Sequence, residues 1–215
     1  MGADGDSRAG LTGFGERRKL PCAPREMAQH VDIDRVLFDE DRIRSAIDRV
    51  ARELTRMYAG KDLTVVAVLK GSCIFAADLI RRLPIPLELT FLAASSYGSE
   101  TKPGDLEIHF LPVEGEIRGR DVLLVDDILD TGRTLDRLKR ELERRGAREV
   151  RTCVFLDKPA RRAVALEPDL RCFEVEDVFV VGYGLDFAGR YRNLPYVGAL
   201  RAEVASRRPP AGTEA

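Results

Sequence analysis

The chain has 215 residues, with 35 basic and 36 acidic side chains and a formal net charge of −1. This length is typical of one compact domain or of two very small ones, and the 44% of hydrophobic residues can form a core, which excludes a wholly disordered protein. The balanced charge excludes a surface dominated by cations, and with it the usual form of a protein that binds duplex nucleic acid.

The cysteines and the apolar runs indicate where the protein works. The four cysteines have no CxxC or zinc-finger spacing, and the chain has only two histidines, so a zinc site is not predicted. Isolated thiols of this kind are typical of the reducing cytosol. No segment approaches the ~20 apolar residues that a membrane helix needs, and no secretory signal opens the chain. We therefore expect a cytoplasmic protein that does not bind a membrane.

The two ends of the chain differ in composition from its middle. The start is rich in glycine and shows no apolar period, and the last ten residues form the polar, proline-containing segment SRRPPAGTEA. We predict disordered tails at 1–30 and 206–215 and one folded domain over 31–205.

Helical and strand periodicities alternate along the predicted domain. Apolar residues three or four positions apart, such as Ile43, Ile47 and Val50, indicate amphipathic helices. Short β-branched runs, such as TVVAVL at 64–69, are typical of strands buried on both faces. In chain order we predict a helix over 39–59, a strand over 64–69, a helix over 71–83, a strand over 87–93, a loop over 95–105, strands over 106–113 and 122–125, a helix over 134–145, and strands over 150–156 and 178–181. This alternation predicts an α/β fold with a mostly parallel twisted sheet flanked by helices.

The polar chemistry is concentrated in one segment, VLLVDDILDTGRT at 122–134. Ligands of open parallel sheets bind where loops leave the carboxyl ends of strands. Here Gly132 permits a tight turn, and the following helix would point its first amide groups at an anion. We therefore predict a phosphate-binding loop formed by Asp130, Thr131, Gly132, Arg133 and Thr134.

Two acids, Asp126 and Asp127, precede that loop. Because a carboxylate does not help to bind a phosphate, these residues need another role. Their oxygens suit the two hydroxyls of a ribose or a divalent cation. Phosphate, ribose diol and metal together indicate a sugar phosphate as ligand. The chain contains no GxxxxGK[ST] motif and no complete GxGxxG motif, which argues against a nucleoside triphosphatase or a dinucleotide-binding protein.

The whole segment 122–134 resembles the phosphoribosyl-diphosphate signature of the type I phosphoribosyltransferases. Four further segments are similar to the hypoxanthine–guanine phosphoribosyltransferases in their short bacterial form. These segments are VLKG at 68–71, SSYG at 95–98, LDKP at 156–159 and FVVGYGLDFAGRYRNLP at 179–195. The resemblance covers residues 31–203 and implies the type I phosphoribosyltransferase fold with a small hood subdomain. It also implies purine salvage, in which hypoxanthine or guanine receives a 5-phosphoribosyl group at N9 to give IMP or GMP and diphosphate.

The resemblance implies roles for the residues at the purine. Asp130 would be the catalytic base that accepts the N7 proton of the purine. Lys158 would donate to the 6-oxo group, and Phe179 would stack on the base. The backbone of Val180 would meet the purine edge, where Asp186 would also lie.

The resemblance implies a second set of roles at the sugar and the diphosphate. Asp126 and Asp127 would bind the ribose hydroxyls, and the loop from Asp130 to Thr134 would bind the 5′-phosphate. The remaining implied contacts are Lys70, Gly71 and Arg192 at the diphosphate, Asp186, Asp126 and Asp127 at Mg²⁺, and Ser96 and Tyr97 in a closing lid loop. In such enzymes the Leu69–Lys70 peptide is cis.

Several alternatives stay open. Contacts at the purine 2-position decide between hypoxanthine, guanine and xanthine, so a xanthine-preferring transferase is one alternative. The other is a catalytically silent, RNA-binding regulator of the same fold. Its cationic face would have to include Arg140, Arg144, Arg145 and Arg148, but glutamates are interleaved among these arginines and indicate surface ion pairs. We therefore expect small-molecule substrates and no nucleic acid. Relatives imply a homodimer or a homotetramer.

Overall fold

The computed structural model describes residues 29–96 and 106–207. In chain order the elements are β1 (Ile33–Phe38), α1 (Glu40–Met57), β2 (Leu63–Leu69), α2 (Cys73–Ile80), β3 (Leu87–Ser96), β4 (Leu106–Phe110), α3 (Glu114–Ile117), β5 (Asp121–Leu129), α4 (Arg133–Arg144), β6 (Glu149–Asp157), a 3₁₀ turn (Pro159–Arg161), β7 (Leu170–Glu174), β8 (Val180–Val181), β9 (Val197–Leu200) and α5 (Ala202–Ala205). Among these residues no helix is long and apolar enough to cross a membrane.

The main sheet has six strands in the order β4-β3-β2-β5-β6-β7. All neighbouring strands are parallel except β3 and β4, which are antiparallel. The central strands β2 and β5 are almost entirely buried because α1 and α2 cover one face and α4 covers the other. The predicted α/β class, with its mostly parallel sheet, is confirmed.

Helix α1 shows how local sequence determines an element. The Asp39 carboxylate accepts a hydrogen bond from the Arg42 amide at 2.8 Å and caps the amino end. The apolar positions Ile43, Ile47 and Val50 are then all buried against the sheet. The helix prediction for 39–59 is correct to within two residues at each end.

Strand β5 is longer than the predicted strand over 122–125. It continues to Leu129, because β6 pairs with it along its whole length as far as the pair Leu129 and Asp157. Asp126 and Asp127 therefore lie inside a strand of the sheet rather than in the loop after it. This position explains why the Asp126 side chain is buried.

A second, antiparallel sheet has the order β1-β9-β8 and forms the hood subdomain. The sequence analysis predicted neither β1 nor β9, and it also missed β7 in the main sheet. A strand is present within the predicted range 178–181, but it is limited to β8 and pairs with β9 in the hood. These strands are short or carry polar residues, so their own periodicity is weak, and they form by pairing with distant segments.

The short helices α3 and α5 were also not predicted, and the other differences are at element ends. Helix α2 begins at Cys73 and ends at Ile80, inside the predicted range 71–83. Strand β3 extends to Ser96, so it includes the start of the predicted loop over 95–105, and residues 97–105 lie outside the described part of the chain. The predicted tails at 1–30 and 206–215 stay predictions.

Candidate active site

Asp126 and Asp127 form a pair of acids at the carboxyl end of β5. The Asp127 amide donates to the Asp126 Oδ1 at 2.9 Å, and the Asp126 side chain is buried. Burial and the neighbouring charge of Asp127 raise the pKa of Asp126 well above its usual range. Burial also raises the pKa of Asp127, while Asp126 and the charge of Arg192 act in the opposite direction. Such a pair is best stabilised by a ligand that brings hydroxyl donors or positive charge.

Gly71 lies directly against these acids. A Cβ atom built on Gly71 would be 1.7 Å from the Asp127 Oδ2 and 2.6 Å from its Cγ. On the other side, a Cβ atom on Gly184 would be 2.2 Å from the Gly71 carbonyl oxygen. The Leu69–Lys70 peptide before this turn is cis, as the resemblance implied. Only glycine lets the backbone at 71 approach both the Asp127 side chain and the backbone at Gly184 this closely.

Arg192 and Asp186 lie at the same end of the site. Arg192 donates from Nη1 to the Gly184 carbonyl at 2.6 Å, and its Nη2 pairs with the Asp186 Oδ1 at 2.7 Å. The second Asp186 oxygen accepts from the Gly189 amide at 2.8 Å. These contacts hold the guanidinium where its charge acts on Asp127. Arg192 therefore pairs with Asp186 and also acts by its charge on Asp127, at a place where an anion could bind.

The predicted phosphate-binding loop joins β5 to α4. Gly132 has a left-handed backbone with φ of 81° and occupies the N-cap position of α4, where no side chain caps the first turn within the described residues. A Cβ atom on Gly132 would be 2.8 Å from the Val164 Cγ2. The Ala163 amide donates to the Thr131 carbonyl at 2.9 Å and supports the loop from behind. The first amides of α4 are therefore free to bind an anion.

The two oxygens of the Asp130 carboxylate differ in their surroundings. Oδ2 lies 3.2 Å from the Arg161 Nη1. Oδ1 is buried and has no hydrogen-bond partner among the described residues. Arg162 supports the backbone here, because its Nε donates to the Asp130 carbonyl at 3.1 Å and its Nη2 binds the Asp157 carboxylate. An unpaired buried carboxylate oxygen is costly, so it marks a place where a donor is expected to bind.

Lys158 is buried, with 5% of its surface exposed, and is not the solvated cation that a lysine before a proline usually is. Its Nζ donates to the Val178 carbonyl at 2.9 Å and lies 2.9 Å from the Asp177 Oδ1. The hydrogen bond from Lys158 lowers the pKa of Asp177. Because an ammonium has three donors, one N–H is left for a ligand.

Phe179 and Val180 provide the apolar part of the site. Phe179 is 46% exposed, which excludes a role in the core, and its ring meets Phe187 edge to face at 5.2 Å. Val180 is buried in β8 and pairs with Ala199 of β9. An exposed, braced aromatic face beside a polar backbone can stack on a planar heterocycle.

The predicted residues therefore fall into two groups in the described structure. One group contains the acids of β5 with Gly71, Asp186 and Arg192, linked by the contacts given above. The other contains Asp130, Lys158 and Phe179, near the loop before α4 and the start of β8. Of the predicted lid, Ser96 ends β3, and Tyr97 lies outside the described residues.

Sequence reasoning missed Arg161, Arg162 and Asp177. The only signal for the two arginines is their position directly after LDKP, where two adjacent cations stand close to a predicted ligand-binding lysine. Asp177 carries no such signal, because its link to Lys158 spans 19 positions of the chain and exists only in the folded state.

Comparisons with known proteins show the family of the chain. A family model described as phosphoribosyl transferase domain matches residues 37–188. A hypoxanthine-guanine phosphoribosyltransferase from Streptococcus pneumoniae is 43% identical over 81% of this chain and 97% of its own length. The bifunctional protein TilS/HprT of Listeria innocua is 46% identical over 83% of this chain, which spans only 28% of that relative's length.

Solved structures show the same similarity. A hypoxanthine phosphoribosyltransferase from Staphylococcus aureus has a TM-score of 0.79 and 39% identity, covering 84% of this chain and 100% of that chain. The hypoxanthine phosphoribosyltransferase of Trypanosoma cruzi, solved in complex with the product IMP, has a TM-score of 0.76 and 35% identity, covering 82% of this chain and 98% of that chain.

Proposed function

The chain belongs to the phosphoribosyl transferase domain family, and we propose that it is a hypoxanthine-guanine phosphoribosyltransferase of purine salvage. It transfers the 5-phosphoribosyl group of phosphoribosyl diphosphate to N9 of hypoxanthine or guanine. The products are IMP or GMP and diphosphate. The match of the chain to enzymes of this name over nearly their full length supports the proposal.

The observation that carries the proposal is that an acceptor on Asp130 and a donor on Lys158 are both available to a ligand beside the proposed phosphate-binding loop. Among the residues that the structure describes, the Asp130 Oδ1 is a buried acceptor without a partner, and the Lys158 ammonium uses two of its three N–H groups. A 6-oxopurine with a proton on N7 offers a donor at N7 and an acceptor at O6 on the same edge of its rings. The pair matches that edge, and the exposed ring of Phe179 covers a face beside it.

The phosphate and the ribose are bound at the carboxyl ends of the strands. The amides of residues 130–134 and the hydroxyls of Thr131 and Thr134 bind the 5′-phosphate, aided by the positive end of α4. Arg133 follows the turn at the start of this helix. Asp126 and Asp127 accept hydrogen bonds from the two ribose hydroxyls, which would relieve the unfavourable burial of their charges.

The departing diphosphate requires positive charge and hydrogen-bond donors at the end of the site formed by Arg192, Lys70 and Gly71. As the bond from C1 of the ribose to diphosphate breaks, negative charge grows on the leaving group while C1 becomes cationic. Arg192 neutralises part of that charge, and the backbone at Lys70 and Gly71 offers additional contacts to the diphosphate. Exclusion of water during the transfer would protect C1, which water would otherwise attack.

Mg²⁺ is the cofactor that we propose. The described residues contain no group of three or more side chains that could hold a metal by themselves. Mg²⁺ is commonly bound through one or two carboxylates together with substrate phosphates, so the acids of this site fit an ion that arrives with the diphosphate. Asp186, Asp126 and Asp127 would hold it. When bound, the ion neutralises charge on the leaving diphosphate.

The chemistry of the base edge determines the choice of purine. Adenine carries an amino group at position 6, whose hydrogens would face the Lys158 donor, and such mismatches discriminate by ~10⁴-fold or more. Xanthine shares the 6-oxo group with hypoxanthine and guanine. A preference for xanthine is therefore the nearest alternative, and it depends on contacts at the 2-position near Val180 and Asp186.

The regulator that binds RNA is not favoured. The arginines of α4 and the turn after it form ion pairs, in which Arg140 pairs with Asp136, Arg144 and Arg145 with Glu141, and Arg148 with Asp121. These pairs neutralise the face that would have to bind phosphates.

The remaining parts of the proposal are a lid at Ser96 and Tyr97, a homodimer or homotetramer, and a cytoplasmic location.

The experiment that tests the function is nucleotide formation from hypoxanthine, guanine, xanthine and adenine with phosphoribosyl diphosphate and Mg²⁺. The matched variant is Asp130→Asn, which keeps the shape of the loop but removes the proton acceptor. We expect turnover of 6-oxopurines by the unchanged protein and loss of turnover in the variant, with phosphoribosyl diphosphate still bound. Binding without turnover of any purine would refute the proposal and favour a sensor.

A further inference from the structure

We propose that Arg161 is a positioning residue for the transfer reaction: it holds one oxygen of Asp130 so that the other is presented to the proton on N7 of the purine. This inference rests on the proposed function, because it assumes that Asp130 is the proton acceptor. It adds a residue that neither the sequence motifs nor the implied roles include.

The geometry of the Asp130 carboxylate is the first observation. Its Oδ2 is 3.2 Å from the Arg161 Nη1, while its Oδ1 is buried without a partner among the described residues. A carboxylate that is free to rotate exchanges its two oxygens. An ion pair between a guanidinium and one oxygen opposes this exchange and favours a constant direction for the other, unpartnered oxygen. The acceptor is thereby oriented before the purine binds, which is the condition for efficient proton transfer.

A row of alternating charges is the second observation. Asp130 contacts Arg161, and Lys158 contacts Asp177 at 2.9 Å. The charge of Arg161 also acts on Asp177, since both Lys158 and Arg161 lower the pKa of that carboxyl. Arg161 therefore pairs with the acceptor meant for N7 and also acts by its charge on the partner of the donor meant for O6. Its charge therefore acts on Asp130 directly and on Lys158 through Asp177, and these are the two groups that would recognise one edge of the purine.

The contrast with Arg162 shows that Arg161 is not needed for the fold. Arg162 has a side chain only 10% exposed, and it binds the Asp157 carboxylate and the carbonyls of Asp130 and Leu166. Arg161 has a side chain that is 52% exposed, and exposed ion pairs contribute little to stability. A residue with little structural value that contacts the proposed base is best explained by the reaction.

Arg161 acts during the transfer of the phosphoribosyl group to N9 of the purine. The N9 lone pair of the purine forms a bond to C1 of the ribose, and the bond from C1 to diphosphate breaks with its electron pair on the leaving oxygen. The proton on N7 passes to the Asp130 Oδ1 and from there to solvent after the product leaves. Arg161 remains bound to Oδ2 and takes no proton.

The test compares two purines that differ in the acidity of their ring N–H. In Arg161→Met the turnover of hypoxanthine should fall about tenfold, a part of the ~10²–10⁴-fold that a general base supplies. The more acidic 8-azahypoxanthine depends less on the base, so its loss should be clearly smaller. Arg161→Lys should restore most of the activity, and the KM for phosphoribosyl diphosphate should not change. Arg140→Met, which removes an exposed ion pair on α4, is the matched control and should behave as the unchanged protein.

Four results would overturn the inference. Full turnover of hypoxanthine by Arg161→Met would show that the contact has no role. Equal losses with both purines would show a structural effect rather than help to the base. No turnover by the unchanged protein with any purine would refute the proposed function and this inference with it. Loss in Asp130→Asn without loss in Arg161→Met would refute only the inference.

Discussion

Gly71→Ala should remove most of the enzymatic activity while the protein remains folded. The new Cβ atom would lie 1.7 Å from the Asp127 Oδ2, whereas an ordinary contact begins at 3.4 Å. Either the backbone of the VLKG turn or the Asp127 carboxylate must therefore move by about 1.7 Å, the difference between these distances. A displacement of ~1 Å at a catalytic group can cost ~10²-fold in rate, so we expect a loss of at least that size. Overpacking of a buried site costs ~1–3 kcal/mol of stability, which a folded domain can survive.

The assay is kcat/KM for hypoxanthine at saturating phosphoribosyl diphosphate, with urea unfolding measured on the same samples. Gly115→Ala is the control, because a Cβ atom there meets nothing within 4 Å. It should keep full activity. Adding Asp127→Ala to Gly71→Ala removes the atoms that clash, and it should restore stability but not activity. If Gly71→Ala retains the rate and KM of the unchanged protein, the close approach of Gly71 to Asp127 has no functional role and the reasoning fails.

Three further predictions follow from other parts of the structure. Lys158→Met keeps the volume of a buried side chain but removes its free N–H, so steady-state kinetics should show a KM for hypoxanthine that rises ~10-fold or more, with little change in the KM for phosphoribosyl diphosphate. Asp126→Asn should raise the melting temperature while transfer is lost. A carboxyl whose pKa is raised by folding stabilises the fold only at low pH, and this contribution is lost as the pH rises through the raised value. The advantage of the amide should therefore grow with pH in thermal scans, and an advantage that does not grow with pH would contradict this explanation. Glu141→Gln should cost about 1 kcal/mol at pH 7 in urea unfolding, because Arg144 and Arg145 hold the pKa of Glu141 at about 2. That contribution is complete above the unfolded value of about 4.3 and is lost as the pH falls towards 2, so the two proteins should converge in acid.

The structure also shows why most elements of the main sheet were predictable. Helix α1 has its cap at Asp39 and its apolar positions at helical spacing, and β2 is an apolar β-branched run, so each element is favoured by its own residues. Strand β8 is different. Its two residues form a strand only because β9 pairs with them, and the same dependence on distant partners applies to β1 and β7.

In the candidate site, too, some features were predictable from local sequence and others depended on the fold. The segment 122–134 predicted the loop, the acids and the turn at Gly132 because all of them lie within thirteen consecutive residues. The surroundings of these residues were not predictable. A lysine before a proline is usually solvated and a phenylalanine is usually in the core, yet Lys158 is buried and Phe179 is 46% exposed.

The sequence by itself therefore determined the α/β class, the family resemblance and the identity of the residues that carry the proposed chemistry. These properties depend on residue type and on spacing over a few turns of chain. Only the tertiary structure decided which oxygen of Asp130 has no partner among the described residues, what binds the Lys158 ammonium and that Arg161 pairs with Asp130. The physical reason is that burial and hydrogen bonding depend on segments 20 to 160 positions apart, and these meet only when the two sheets are formed.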